Sequence, residues 1–88
     1  MARVTLELFG IAARRAHRSE VPVEASTLGE ALVALERECP ALAGEVVRAG
    51  RLAPHWVASV DGRRFIDAPD VALAEGARVL VLSSLAGG

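Results

Sequence analysis

Arg78-Val79-Leu80-Val81-Leu82 is apolar on both faces and is followed by Ser83-Ser84-Leu85-Ala86-Gly87-Gly88. A strand that is apolar on both sides belongs in the middle of a sheet, bordered by neighbours and covered on one side by a helix. Glu75-Gly76 marks the turn before it. The spacing therefore predicts a central strand over residues 78–82, with residues 83–88 running on from it as a flexible tail.

Working back from that strand, Arg3-Val4-Thr5-Leu6-Glu7-Leu8-Phe9 alternates, with Val4, Leu6 and Leu8 on one face and Gly10 as a breaker. Glu20-Val21-Pro22-Val23-Glu24 alternates again, and the two runs are expected to form a hairpin through residues 11–18. Pro22 lacks a ladder donor, so this second strand is expected at a sheet edge.

Thr27-Leu28-Gly29-Glu30 fits a capping box that opens a helix. Leu28, Ala31, Leu32, Leu35, Cys39 and Leu42 share one helical face, and Pro40 ends or kinks the helix at Cys39. Residues 41–47 read as a short helical piece and residues 48–51 as a loop. Trp56-Val57-Ala58-Ser59-Val60 is a third strand, turned at Asp61-Gly62 into a short return strand over residues 63–66. This order gives an α+β domain over residues 1–82, a mixed sheet of four to five strands with one main helix packed across it.

Composition narrows the function. With 88 residues, 52% of them hydrophobic and 24% charged, the chain has the make-up of one globular domain. No signal-peptide pattern and no apolar run of spanning length occurs, so a soluble, cytoplasmic protein with no membrane association is expected. A formal charge of −1, no Tyr and a single Trp argue against a nucleic-acid surface. The lone Cys39 has no disulfide partner and no metal motif around it, and is read as a small buried residue. His17 and His55 stand outside any catalytic motif, Ser83 and Ser84 lack a glycine elbow, and no carboxylate pair suggests acid/base work. The run Arg14-Arg15-His17-Arg18 reads as a solvated loop.

The tail is the remaining candidate. At roughly 7% glycine usage, two final glycines arise by chance about once in 200 chains. Four extended residues hold the last carboxylate about 13 Å beyond the strand, and glycine, lacking Cβ, lets a backbone enter a narrow channel. Leu85 is an apolar residue in a tail that should not pack on its own core, which makes it a candidate docking contact.

Taken in order, the strand at residues 4–9, the helix opening Thr27-Leu28, Val60-Asp61-Gly62, Glu75-Gly76 with Val79, and Gly87-Gly88 resemble the ubiquitin-like β-grasp sulfur carriers. That is the MoaD/ThiS family of the molybdopterin synthase small subunit and its thiamin-thiazole counterpart. Ser83-Ser84 stands where the small subunits commonly carry a proline pair, and Ala77-Arg78 replaces an acidic pair. The resemblance implies a protein co-substrate with no catalytic residues, metal or bound cofactor of its own. An ATP-dependent activating enzyme would adenylate the Gly88 carboxylate, and a persulfide donor would convert it to a thiocarboxylate. Leu85, Ala86 and Gly87 would be recognised in the partner's channel.

The acceptor expected first is the molybdopterin synthase large subunit, because thiazole carriers tend to lack a segment like residues 41–54. Sulfur donation to thiamin, tRNA thiouridine or cysteine synthesis is the alternative, as is a ubiquitin-like modifier joined to target amines. Because the sequence contains no Lys, side-chain-linked chains of the protein on itself are excluded. A β-grasp binding module with a chemically silent tail is the third reading.

Overall fold

Val4, Leu6 and Leu8 are buried and alternate with Arg3, Thr5 and Glu7 along β1 (Ala2–Leu8), and Val21, Val23 and Ala25 do the same along β2 (Glu20–Ala25). Both strands thus turn one apolar face inward, as a period of two requires. In the computed structural model, which describes residues 2–84, they pair antiparallel from Ala2↔Ala25 to Glu7↔Glu20. β5 (Trp56–Val60), β6 (Arg64–Ile66) and β7 (Arg78–Ser83) complete a five-stranded mixed sheet in the order β2-β1-β7-β5-β6.

β7 takes the centre, parallel to β1 and antiparallel to β5. Its Val79 and Val81 are wholly buried. The edge position expected for β2 from Pro22 is also found. β7 runs one residue further than expected, with Ser83 opposite Trp56.

One main helix, α2 (Leu28–Glu38), crosses the inner face and buries Leu28, Ala31, Leu32 and Leu35. Cys39 and Leu42 continue that buried row past the helix end. The capping box forms with one shift. Thr27 Oγ1 accepts from the Glu30 N–H at 3.2 Å, whereas the Glu30 carboxylate reaches the N–H of Ser26, one residue before the cap, at 2.7 Å. The two remaining orphan donors of the first turn, Leu28 N and Gly29 N, give to the carbonyls of Val71 and Pro69 at 2.9 and 2.8 Å. Gly29 permits that contact, since a Cβ there would meet Pro69 at 3.1 Å.

Two segments differ from the sequence expectation. The connection between β1 and β2 is a helix, α1 (Gly10–Ala16), which buries Ala12 and ends at His17 in the left-handed conformation, φ 59°. Three alanines and two arginines in seven residues favour helix, but one fully buried residue leaves almost no apolar period to detect. The short helical piece expected over residues 41–47 is a 3-10 turn at Pro40–Leu42. The expected loop beyond it is a hairpin of β3 (Val47–Arg48) and β4 (Arg51–Leu52). Ala49 and Gly50 turn it at φ 49° and 80°, the positive-φ pair of a type I′ turn. Among the described residues no helix is long and apolar enough to cross a membrane.

Candidate functional site

Because β7 is parallel to β1 and antiparallel to β5, three chain segments meet where β7 ends: the exit of β1, the entry of β5 and the root of the tail. Phe9, still extended at φ −134°, follows directly on the last pair of that ladder, Leu8↔Val81. On the other side the turn 53–56 leads into β5, with the Trp56 N–H donating to the Ala53 carbonyl at 3.2 Å. Pro54 presets one corner of this turn and His55, at φ 72°, occupies the other, the arrangement of a type II turn.

The His55 carbonyl accepts twice from Ser84, from its N–H at 2.7 Å and from its Oγ–H at 3.0 Å. The chain is therefore held through Ser84. Leu85, Ala86, Gly87 and Gly88, the residues singled out in the sequence, lie outside the described residues.

Beside this root the outer face of the sheet is apolar. Register places Leu82 and Val57 in one row, and Leu80, Ser59 and Phe65 in the next. Phe9 follows inward-facing Leu8 in extended conformation and so turns to the same outer face. Val57, Leu80 and Leu82 are half-buried, while Phe9 is 44% and Phe65 73% exposed. Ile11 adds a further large apolar side chain, 47% exposed, just past Phe9. Among the described residues these apolar side chains stay partly exposed on one face of the sheet, which marks an interaction surface.

Towards β2 the same face turns charged. Arg78 spans three strands, giving Nε to Glu7 at 2.8 Å and Nη2 to Glu20 at 2.7 Å, and the two carboxylates raise the arginine's pKa, Glu7 first. Exposed pairs of this kind add little stability. They close off the charged side of the face and leave its apolar side at the tail.

The other candidates from the sequence are dispersed. Arg15 pairs with Glu45 at 3.0 Å and Arg18 with Glu38 at 3.9 Å, so two of the basic run's three arginines are engaged with carboxylates. His17 and His55 are both exposed and both have positive φ, so each serves its own turn. Cys39 is 4% exposed, and burial pushes its thiol up, with Arg18 opposing and Glu38 adding to the shift. Such a thiol supplies little thiolate to compete for sulfur or acyl groups. A groove of about 500 Å³ lies between α2 and the β3–β4 hairpin, with Val33, Arg37, Gly50 and Arg51 in its walls and no residue of β7 among them. Among the described residues no group of three or more His, Cys, Asp or Glu is gathered to hold a metal.

Neither the apolar face nor the Ser84 contacts can be seen in the sequence alone. The first depends on strand order, which sets Phe9 and Phe65 on the same face as Leu82. The second joins residues 29 apart.

A helix across a mixed five-stranded sheet, with parallel first and last strands at its centre, is the ubiquitin-like β-grasp fold. No protein-family model and no curated protein matches the chain. Solved structures do. Small archaeal modifier protein 1 from Haloferax volcanii superposes with a TM-score of 0.83 at 28% identity, over 99% of this chain and 100% of that one. A chain of the BexX/CysO complex from Amycolatopsis orientalis gives a TM-score of 0.80 at 17% identity, over 97% and 99%. A putative molybdopterin converting factor subunit 1 from Pyrococcus furiosus gives 0.76 at 17% identity, over 97% and 100%. The resemblance to ubiquitin-like β-grasp sulfur carriers is thus borne out. The Haloferax protein is a modifier and the Pyrococcus protein a putative converting factor subunit, and both share this fold.

Proposed function

We propose that this chain is a sulfur carrier whose Gly88 carboxylate is adenylated and then converted to a thiocarboxylate. The observation that carries the reading is the placement of the tail root. It leaves the central strand of a ubiquitin-like domain beside an apolar face formed by Phe9, Val57, Phe65, Leu80 and Leu82. A partner enzyme seated on that face would receive the tail in its active site.

A carboxylate resists nucleophilic attack at neutral pH, because attack adds negative charge and must expel an oxide. Adenylation replaces that oxide with AMP, releasing pyrophosphate. A persulfide sulfur displaces AMP, and a second thiol cleaves the sulfur–sulfur bond to leave Gly88 as a thiocarboxylate and the donor as a disulfide. The thiocarboxylate sulfur then attacks an acceptor, and hydrolysis returns the carboxylate. Catalytic groups and ATP belong to the partners, and this chain supplies the acyl end. Molybdopterin, through its synthase large subunit, is the acceptor placed first, on the presence of the segment 41–54, which folds as the 3-10 turn and the β3–β4 hairpin.

A second reading, conjugation of Gly88 to amines on other proteins, is favoured by the likeness to the Haloferax modifier. Both readings begin with the same adenylate. The test is intact mass after incubation with ATP, a persulfide source and the activating enzyme of the same genome. Exchange of one oxygen for sulfur, lost when Gly88 is deleted, is expected. Absence of both that mass gain and AMP release refutes both readings and leaves a binding module.

A further inference from the structure

We propose that Ser84 is a positioning residue that fixes the point from which the C-terminal glycine is presented, an inference that rests on the carrier reading above. The sheet ladder ends at the Ser83↔Trp56 pair, and a chain released there would be free from residue 84 onward. Instead both donors of Ser84 converge on one acceptor, the His55 carbonyl, at 2.7 and 3.0 Å.

That carbonyl is itself aimed. Pro54 and the left-handed His55, φ 72°, form the corners of a turn closed by the Trp56 N–H on the Ala53 carbonyl. A position usually given to Gly or Asn is filled by His at a steric cost. The acceptor thus sits on a stiff turn, and Ser84 is tied to the domain rather than to the tail.

Two consequences follow for the carrier. Four residues follow the anchor in the sequence, a span of at most about 13 Å when fully extended. The backbone of residue 84 is also ordered before any partner arrives. Ordering one residue's backbone costs roughly a factor of ten in a binding equilibrium. With Ser84 anchored, that cost is met in the free domain and is absent from capture of the tail.

Ser84 stands four residues before the reacting carboxylate in the sequence, so its loss should act on capture and leave chemistry unchanged. The experiment is ATP–pyrophosphate exchange by the activating enzyme of the same genome, run on the full chain and on Ser84→Gly and Ser84→Thr. Amide hydrogen exchange of Ser84 is measured in the unmodified protein. Ser84→Gly keeps the backbone N–H bond but loses the Oγ–H bond and loosens the backbone. We therefore expect a several-fold rise in its KM with kcat unchanged, near-normal KM for Ser84→Thr, unaltered melting temperatures, and a Ser84 amide protected several-fold over a free chain.

An unprotected Ser84 amide overturns the anchor, as does wild-type KM in Ser84→Gly while the unmodified protein is adenylated. A protected amide in a protein that supports no exchange at all instead overturns the carrier reading, and this proposal with it.

Discussion

Replacing Thr27 by Ala removes one hydrogen bond from the best-capped point in the molecule, and the structure sets how much that should cost. Of the four donors at the start of α2, Leu28 N and Gly29 N are held by the Val71 and Pro69 carbonyls and Ala31 N by the Thr27 carbonyl, none of which involves the threonine side chain. Only the Glu30 N–H loses its acceptor, Thr27 Oγ1 at 3.2 Å. Glu30 is exposed, so water replaces part of what is lost. That puts Thr27→Ala near the centre of the usual range for caps, at about 1 kcal/mol, or roughly 4–8 °C in Tm for a domain of this size.

Thr27→Ser should keep most of the bond. Glu30→Ala removes the partner of the Ser26 N–H, and because the two side chains act on one turn, the double variant should depart from additivity by about 0.5 kcal/mol or more. Urea denaturation at constant m-value reads all of these. A Thr27→Ala change below about 0.3 kcal/mol, or Thr27→Ser as damaging as Thr27→Ala, would show that the 69–71 segment alone caps the helix and that the reasoning is wrong.

Two further outcomes test the core and the outer face. Burial raises the Cys39 pKa, so at pH 8 less of it is thiolate than in a free thiol; alkylation in native buffer should be slow and follow global unfolding, and rapid labelling of the folded protein would contradict its burial. Phe65 is 73% exposed, so Phe65→Ser should shift stability by no more than about 0.5 kcal/mol yet weaken binding to the activating enzyme about ten-fold. Unchanged affinity by calorimetric titration would remove Phe65 from the docking face.

What could be read in advance follows from the range of each interaction. Period-two burial in Val4, Leu6 and Leu8, the cap at Thr27, the missing donor of Pro22 and the Asp61-Gly62 turn all act within a few residues. Asp61 and Gly62 adopt φ 54° and 69°, and β6 returns from them as the sequence predicts. The β3–β4 hairpin escaped because its strands are two residues long and Ala49 replaces the usual Asn or Asp before Gly50. α1 escaped because only Ala12 reports its buried side. The tail residues singled out in the sequence lie outside the described residues. The surroundings of the tail root were not legible, since Phe9, His55, Phe65 and Ser84 lie far apart in the chain and are related only through the strand order. The double contact of Ser84 with the His55 carbonyl leaves no trace in local sequence.

The parallel pairing of β1 with β7 also has a mechanical meaning. The register from Thr5↔Arg78 to Leu8↔Val81 sets the start of one strand and the end of the other at opposite ends of the same ladder. A pull on the tail against the amino-terminal end therefore loads those hydrogen bonds in shear, all at once, rather than opening them one by one as in a zipper. A partner that draws the tail into a channel, or a machine that tugs on it, works against the strongest direction of the sheet. On the carrier reading, this pairing would let a partner pull on the end of β7 and release it without unravelling the domain.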